Sequence, residues 1–494
     1  MISKQAHKIG RQNIQVRYAG LQDSLQLQAL MAELSRNEFP KLLERLLDEI
    51  DDAKTVTRIP KLELDFEVEE NGLSLEMLKS EILKKAEGFL REKLENCEKK
   101  RNTVEHDFVQ AWKYFLQKGY LPIWSIYKNQ KELQQALELT LGNSKDLPDF
   151  SEILEATKEE NARARLLKML SRDSLKILLL VSKIFTKKDW NFWVRLIGIL
   201  EDNFGKNVLL EETFRVAIIK YSAAQRNVST EAERALQFGE VLRKEIQKIY
   251  LPNSNKFIEK IQDDRSRKAL LTIFAAETEL LEAKNKRRVS SKEKEPLTDA
   301  HKVGEKPLDK STEIDESKQS QSLKDADKID EGSRILIHNS GLVILAPFLP
   351  QLFKNLELDL VEPNAEFPKA IAIFRYLVFG KEHFDESEAV LEKIFLGLPL
   401  SKSIENAKEL STQVREQCET LLQSVIEHWS ILKNTSPDGL RQSFLQREGI
   451  LEIRNERWTL TVQKESIDML LDRLPWGMNI IKTPWMQTYF TVHW

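Results

Sequence analysis

A mainly α-helical protein with a minor β component is the fold class this sequence predicts, and three observations carry it. Leu, Glu and Lys dominate a chain in which 31% of residues are charged and only 17 Gly and 15 Pro occur among 494, a composition that favours helices. Most apolar residues between positions 23 and 283 recur at three- and four-residue spacing, while only short stretches alternate with period two. The length itself suggests two to four domains, each able to bury a core.

Taken in order, KIGRQNIQVRY (8–18) alternates Ile14, Val16 and Tyr18 against Asn13, Gln15 and Arg17, a strand pattern. From Asp23 to Asp51 the period turns helical, with Pro40 dividing or kinking the stretch. VTRIPKLELDFEV (56–68) alternates again, placing Leu62, Leu64, Phe66 and Val68 opposite Glu63, Asp65 and Glu67. Asn71-Gly72 breaks that strand, and Ser74 caps a long helix running to about Lys100. Residues 1–103 therefore read as a small α+β unit, β-α-β-α, with one wet sheet face.

Residues 104–283 read as a helical array. FVQAWKYFLQKGYLPIW (108–124) makes a helix closed by Gly119, with Phe108, Trp112 and Phe115-Leu116 as its apolar stripe. DSLKILLLVSKIF and DWNFWVRLIGIL follow, separated by polar turn clusters but with no fixed repeat period. Residues 284–333 change character: both charges mix with Ser, Thr and Pro, and no aromatic occurs between Phe274 and Phe348. So polar a stretch buries too little apolar area to offset its ordering entropy, which predicts a disordered charged linker separating the chain into two halves.

Residues 334–494 form a C-terminal, mostly helical α+β module. Its expected helices cover 366–379, 386–396, about 406–432, and 437–448, the last with Ser436 as N-cap, Pro437 in the first turn and Gly449 as its end. ILEIR and RWTLTVQ alternate around Asn455-Glu456 as a hairpin, and a final helix covers 465–473. Five of the nine tryptophans (Trp429, Trp458, Trp476, Trp485, Trp494) fall between His428 and the last residue. Exposing so much indole is unfavourable, so this end is expected to be a packed unit rather than a frayed tail.

Several function classes are excluded. The formal net charge of -3 removes the broad basic field of a nucleic-acid binder. Cys97 and Cys418, the only cysteines, read as two reduced thiols. MISKQAHKIGRQ lacks the apolar core of a signal peptide. The greasiest runs, Ile177 to Phe185 and Ile371 to Phe379, are interrupted by Lys183 and Arg375 and fall short of the roughly 18 to 20 apolar residues a bilayer requires. The expectation is a soluble protein, cytoplasmic on synthesis and assembly.

No P-loop, dinucleotide-binding glycine motif, zinc-protease H-E-x-x-H or nucleophile-elbow G-x-S-x-G is present. His383 beside Asp385 and Glu386 reads as a solvated loop rather than a metal site, and His428 after Glu427 as a packed or capping histidine, since adjacent helical residues do not face each other. No cofactor, metal or catalytic residue is expected. Helices 410–432 and 437–448 followed by a hairpin have the order of a winged helix, with Arg441, Gln442 and Arg447 on the reading helix. Five basic against four acidic side chains from Pro437 to Lys464 are too balanced to follow phosphates. A protein-binding, structural role fits the long amphipathic helices and the aromatic end, with Trp485 and Trp494 as candidate partner contacts.

NSGLVILAPFLPQLF, LEKIFLGLPL, HWSILKNTSPDGLRQSFLQREG, LDRLPWGMNIIKTPWM and the closing VHW resemble the tape measure protein family of contractile injection systems, phage-tail-like particles that drive an inner tube through a target envelope. HKIGRQNIQVRYAG, PKLELDF and FLQKGYLPIW resemble that family's opening segments. The resemblance is dense over 335–494, patchy over 1–125 and absent from the linker. It implies a non-enzymatic component of the inner tube or its assembly, helping to set tube length. The implied partners are tube, baseplate hub and terminal cap proteins, and it could reside inside the assembled particle. An assembly chaperone or adaptor of the same particle is the alternative implied, and a winged-helix-like DNA-binding regulator is a more distant one.

Overall fold

Every fourth residue from Leu78 to Leu94 is apolar (Leu78, Ile82, Ala86, Leu90, Leu94), and the stretch folds as a 22-residue helix, Leu75–Asn96, with that stripe buried. The computed structural model describes residues 24–49, 55–59, 74–96, 100–142, 148–183, 185–204, 208–224, 231–246, 333–361, 366–407, 409–454 and 457–494, with a few further positions before residue 69. The chain divides into two compact units, residues 1–111 with 123–126, and residues 112–122 with 127–494.

In the first unit α1 (Ser24–Glu33) and α2 (Phe39–Asp48) are joined by a π-helical turn, Leu34–Glu38. Pro40, expected to divide this region, sits in the first turn of α2, where its missing N–H is no loss. α3 (Leu75–Asn96) lies against both: Leu42 and Leu46 meet Ala86, Leu90 and Leu94, while Leu30 and Leu34 meet Leu78 and Ile82. Ser74 accepts the Met77 amide N–H at 3.4 Å, as its capping position predicts. The strand expected over 56–68 is reduced to β1 (Thr55–Arg58), which pairs antiparallel with β2 (Lys100–Thr103), a strand the local pattern does not announce. Pro60 has no amide hydrogen to give a ladder. Leu62 and Leu64 still pack on the helices, so the alternation reports burial here without pairing. The strand pattern at 8–18 lies almost wholly outside the described residues.

α4 (Val104–Lys118) ends at Gly119, and Phe108, Trp112, Phe115 and Leu116 are all buried. It is followed by α5 (Gln130–Gly142), α6 (Ser151–Ala156), α7 (Glu160–Met169), α8 (Arg172–Val181), α9 (Lys187–Phe204), α10 (Val208–Ala224) and α11 (Glu231–Ile246). Phe238 of α11 is the hub of their aromatic core. Trp193, Phe185, Tyr221 and Phe214 surround it with ring centroids at 4.3, 5.6, 5.6 and 6.0 Å, all near edge-to-face. The remainder of the array, 247–283, and the charged stretch 284–333 expected as a linker lie outside the described residues apart from residue 333.

The C-terminal part begins with β3 (Arg334–Ile337) and continues through α12 (Leu342–Leu345), α13 (Leu349–Asn355), α14 (Phe367–Phe379), α15 (Val390–Phe395) and α16 (Thr412–His428). α17 (Pro437–Leu440) runs on as a π-helical turn to Leu445, and Ser436 accepts from the Gly439 amide as an N-cap should. Gly449, expected to end that helix, does not: the helical turn stops at Leu445 with Gln446 as its C-cap, and Gly449 opens β4 (Gly449–Arg454). The expected hairpin forms between β4 and β5 (Arg457–Val462), its two turn residues lying outside the described set. A 3₁₀ helix at Ser466–Arg473 precedes β6 (Ile480–Ile481) and β7 (Phe490–His493).

These strands form one five-stranded sheet in the order β3-β4-β5-β7-β6, antiparallel except where β5 meets β7. Ile335, Leu451, Leu460 and Val492 stand opposite one another across four strands, and all four are buried. Their face belongs to the largest core of the protein. α14 is apolar nearly all round and buried along most of its length, and Phe353, Phe374, Phe395 and Phe490 run in sequence with centroids 5.2, 6.1 and 5.7 Å apart. Truncating the Phe238 hub (Phe238→Ala) removes a ring held on all sides. It is expected to lower the unfolding free energy by about 3–5 kcal/mol, read from urea denaturation of the full-length chain.

Candidate functional site

The residues with the most chemistry on them are buried, and they work on one another. Arg165 of α7 is 1% exposed. Its guanidinium donates to the Leu116 carbonyl at 2.6 Å, to Oε1 of Glu386 at 2.9 Å and to the Ser401 carbonyl. Lys393 of α15, also 1% exposed, donates to the same Glu386 oxygen at 3.1 Å and to the Leu400 carbonyl at 3.0 Å. Ser403 donates to the other Glu386 oxygen at 3.3 Å, and the Glu386 amide N–H to Gln130 at 3.1 Å. Around this centre Gln130 N donates to Ser387 at 3.1 Å, Ser403 N to Asn161 at 3.1 Å, and Lys168 to Ser403 and the Ile404 carbonyl at 3.0 and 3.2 Å. Residues 116–168 and 386–404 are thus tied directly to each other across more than two hundred positions of sequence.

Electrostatically this is an unequal knot, with two cations on one carboxylate. The carbonyls of Leu116, Leu400 and Ser401 supply the acceptors that a second carboxylate would otherwise provide. Burial pushes the Lys393 ammonium down to about 8, with Arg165 pushing the same way and Glu386 opposing. Both Glu386 oxygens are engaged by internal donors, so the arrangement can dock two segments specifically but presents no open acid or base.

The run His383, Asp385 and Glu386, expected as a solvated loop, is solvated only in part. His383 is exposed and Glu386 faces inward to Arg165 and Lys393. Among the described residues no group of three or more His, Cys, Asp or Glu side chains could hold a metal ion. His428 hydrogen-bonds through Nδ1 to its own helix at the Ser424 carbonyl, 2.7 Å, which is a capping role. Cys418 is a free, buried thiol pushed up to about 12 by burial, with Glu419 adding to the effect; Cys97 lies outside the described residues.

The would-be reading helix is likewise turned into the fold. Arg441 donates to the Leu377 and Tyr376 carbonyls that end α14 and pairs with Glu419 and Asp438 at 2.5 and 2.8 Å. Arg447 binds both oxygens of Asp468 at 2.8 and 3.1 Å and the Ser443 and Gln463 carbonyls. Only Gln442 of the three is exposed.

The tryptophans act as fasteners. Trp429 is fully buried against Phe444 and donates its indole N–H to the Leu470 carbonyl at 3.3 Å. Trp476 donates to the Ile344 carbonyl at 3.0 Å, and Trp458 packs on the same core. Trp485 is half-buried, its ring 5.0 Å from Phe353 and its carbonyl pressed on Gly397, where φ is +65° and no Cβ would fit. Trp494, also half-buried, donates to Asp468 at 3.1 Å and lies 5.5 Å from the Arg447 guanidinium. The C-terminal residue is therefore tied to the π-turn before β4. Trp485 and Trp494 rest on different partners, Phe353 and Asp468. The Arg165 knot is not legible in the sequence: Glu386 lies in the polar run His383 to Glu388, and only Lys393 stands in an otherwise apolar stretch beside Glu392.

Together these features define an architectural protein, in which charge and indole alike serve packing. The family model described as contractile injection system tape measure protein matches residues 6–494, so the chain belongs to that family, whose members are structural components of contractile injection particles. No curated protein and no solved structure matches the chain. Among the described residues no helix is long and apolar enough to cross a membrane.

Two outcomes test the knot. Glu386→Ala strands two buried cations and is expected to lower the unfolding free energy by about 3–5 kcal/mol; adding Lys393→Met removes one of them and recovers part of that loss in urea denaturation. For Lys393 the folded value lies below that of the unfolded chain, so folding is penalised while the ammonium must be buried, below about pH 8. That penalty disappears as pH rises from about 8 to 10.5. Wild type is therefore expected to gain stability over that window, by on the order of 3 kcal/mol, relative to Lys393→Met measured at the same pH values.

Proposed function

We propose that the chain acts in assembly of the inner tube of a contractile injection particle and helps to set its length. The family match over 6–494 is the observation that carries this reading. Its partners are then the inner tube, the baseplate hub and the terminal cap proteins. It works in the cytoplasm during assembly and resides inside the finished particle, and the outer edges of Trp485 and Trp494 are its candidate partner contacts.

A second reading is favoured by a specific observation. A ruler works as an extended chain, and 494 residues wholly helical would span about 740 Å. Residues 112–122, 127–246 and 333–494 instead share one compact unit in which Arg165 is buried on Glu386. A body folded in this way suits an assembly chaperone or adaptor for the tube or baseplate of the same particle. Both readings predict that cells lacking the protein make no particles, or sheath and tube of uncontrolled length.

Graded deletions within 284–333, followed by electron microscopy of the particles, separate the two. A ruler is expected to shorten the tube in proportion, by about 1.5 Å per residue removed if that stretch is read as helix and about 3.3–3.6 Å if fully extended. Unchanged length at normal particle yield sinks the ruler and leaves the adaptor.

A further inference from the structure

A second buried charge sits one residue from Lys393 and has a different environment. Glu392 of α15 is 0% exposed, and so, at 1%, is Asn339, in the turn that leads out of β3. The Asn339 amide Nδ2 donates to Glu392 Oε1 at 2.8 Å. The other two polar atoms of the pair, Asn339 Oδ1 and Glu392 Oε2, are both buried without a hydrogen-bond partner. Two buried acceptors without partners, on two side chains that are hydrogen-bonded to each other, are costly.

The charged groups around them do not resolve this. Arg375 of α14 holds Nη1 3.7 Å from Glu392 Oε1, longer than a hydrogen bond, while its Nη2 is committed to Glu388 at 2.8 Å and its guanidinium lies over Phe379 at 4.1 Å. Glu388 adds a second negative charge nearby. His338 and Glu448, 3.4 Å apart, are both more than half exposed.

We propose that Glu392 is a neutral carboxylic acid in the folded protein, closed with Asn339 into a two-bond acid–amide ring, and that its proton locks the turn at 338–341. With the proton on Oε2, the acid O–H donates to Asn339 Oδ1 while Nδ2 donates to Oε1. One proton thus satisfies both orphans. Release of that proton to solvent leaves Oε2 and Oδ1 as opposed acceptors and opens the ring. Burial, the largest effect on this group, holds its carboxyl above the usual range, opposed by Arg375, by its own backbone amide and by the Asn339 hydrogen bond, and aided by Glu388.

What the ring holds is a junction. Ser340 donates both its amide and its hydroxyl to the Arg447 carbonyl, at 3.0 and 2.8 Å. Gly341 lies so close to the Phe444 carbonyl that no side chain fits there. The turn therefore joins β3 to the segment bearing Arg447, which in turn holds Asp468 and Trp494. Opening the ring is a pH-driven release of the first strand of the C-terminal sheet.

Because the folded-state affinity for the proton exceeds that of the unfolded chain, this group stabilises most below the ordinary glutamate range and progressively less as pH rises toward its folded value. Glu392→Gln in the full-length chain keeps both bonds and cannot titrate. It is expected to match or exceed wild-type stability at neutral pH and to lose the wild type's decline in stability above acidic pH. A tenfold or greater drop in its folding equilibrium constant at neutral pH overturns the proposal, since it would mean that an ionised Glu392 paired with Arg375 is the working state.

Two further readouts hold whatever the variant's stability. The infrared spectrum of the wild type at neutral pH is expected to contain a protonated-carboxyl band missing from Glu392→Gln; full ionisation of the wild type overturns it. Hydrogen exchange of the peptide spanning 334–345 is expected to accelerate with pH beyond the intrinsic rate in wild type alone, and equal behaviour in the two proteins overturns the lock.

Discussion

One carboxylate, that of Glu386, is shared by two buried cations, and the larger unit is organised around that sharing. An isolated buried charge is strongly unfavourable, and a buried ion pair contributes little net stability beside an apolar substitute. Its geometric demands are the more telling feature. Arg165 needs acceptors in a fixed fork, and it finds them on residues as far apart in sequence as Leu116, Glu386 and Ser401. Only one mutual placement of these segments satisfies all of them, so the knot selects an arrangement more than it strengthens one. Its imbalance, two positive charges to one negative, is tolerated because the 400–401 backbone turns its carbonyls inward.

The same logic runs through the C-terminal end. Two buried arginines there terminate something: Arg441 the carbonyls of α14, Arg447 the turn before β4 and, through Asp468, the last residue of the chain. The indoles add area and one directed N–H apiece at Trp429, Trp476 and Trp494. Polar closure of this kind suits a structural member of an injection particle, because the charges inside keep the body in register.

Much of the local structure was legible. The four-residue stripe from Leu78 to Leu94, the buried face of α4, the Ser436 cap and the β4–β5 hairpin all follow from short-range spacing, and all are present. The alternation at 56–68 misled in part. Period two reports which side is buried, and Leu62 and Leu64 are partly buried as it says, but pairing beyond Arg58 needs a partner that β2 supplies for only four residues. β3, β6 and β7 were missed because two to four residues carry no measurable period, and their partners lie up to 118 residues away, as with Arg334 opposite Glu452. The charged members of the two buried clusters were invisible for a related reason. Glu386, Glu392 and Lys393 look like the surface charges that fill this glutamate- and lysine-rich chain.

By itself the sequence determined the helical class, several caps and turns, the hairpin and the family, because each rests on residues close together in the chain or on ordered blocks that resemble the family. Tertiary structure alone decided which charges are interior, which strands join the sheet, and that the segment bearing Arg165 closes on Glu386 of the C-terminal core. Those outcomes depend on desolvation and on acceptors brought from distant segments. A carboxylate in a glutamate-rich chain acquires its meaning only once the fold has chosen its neighbours.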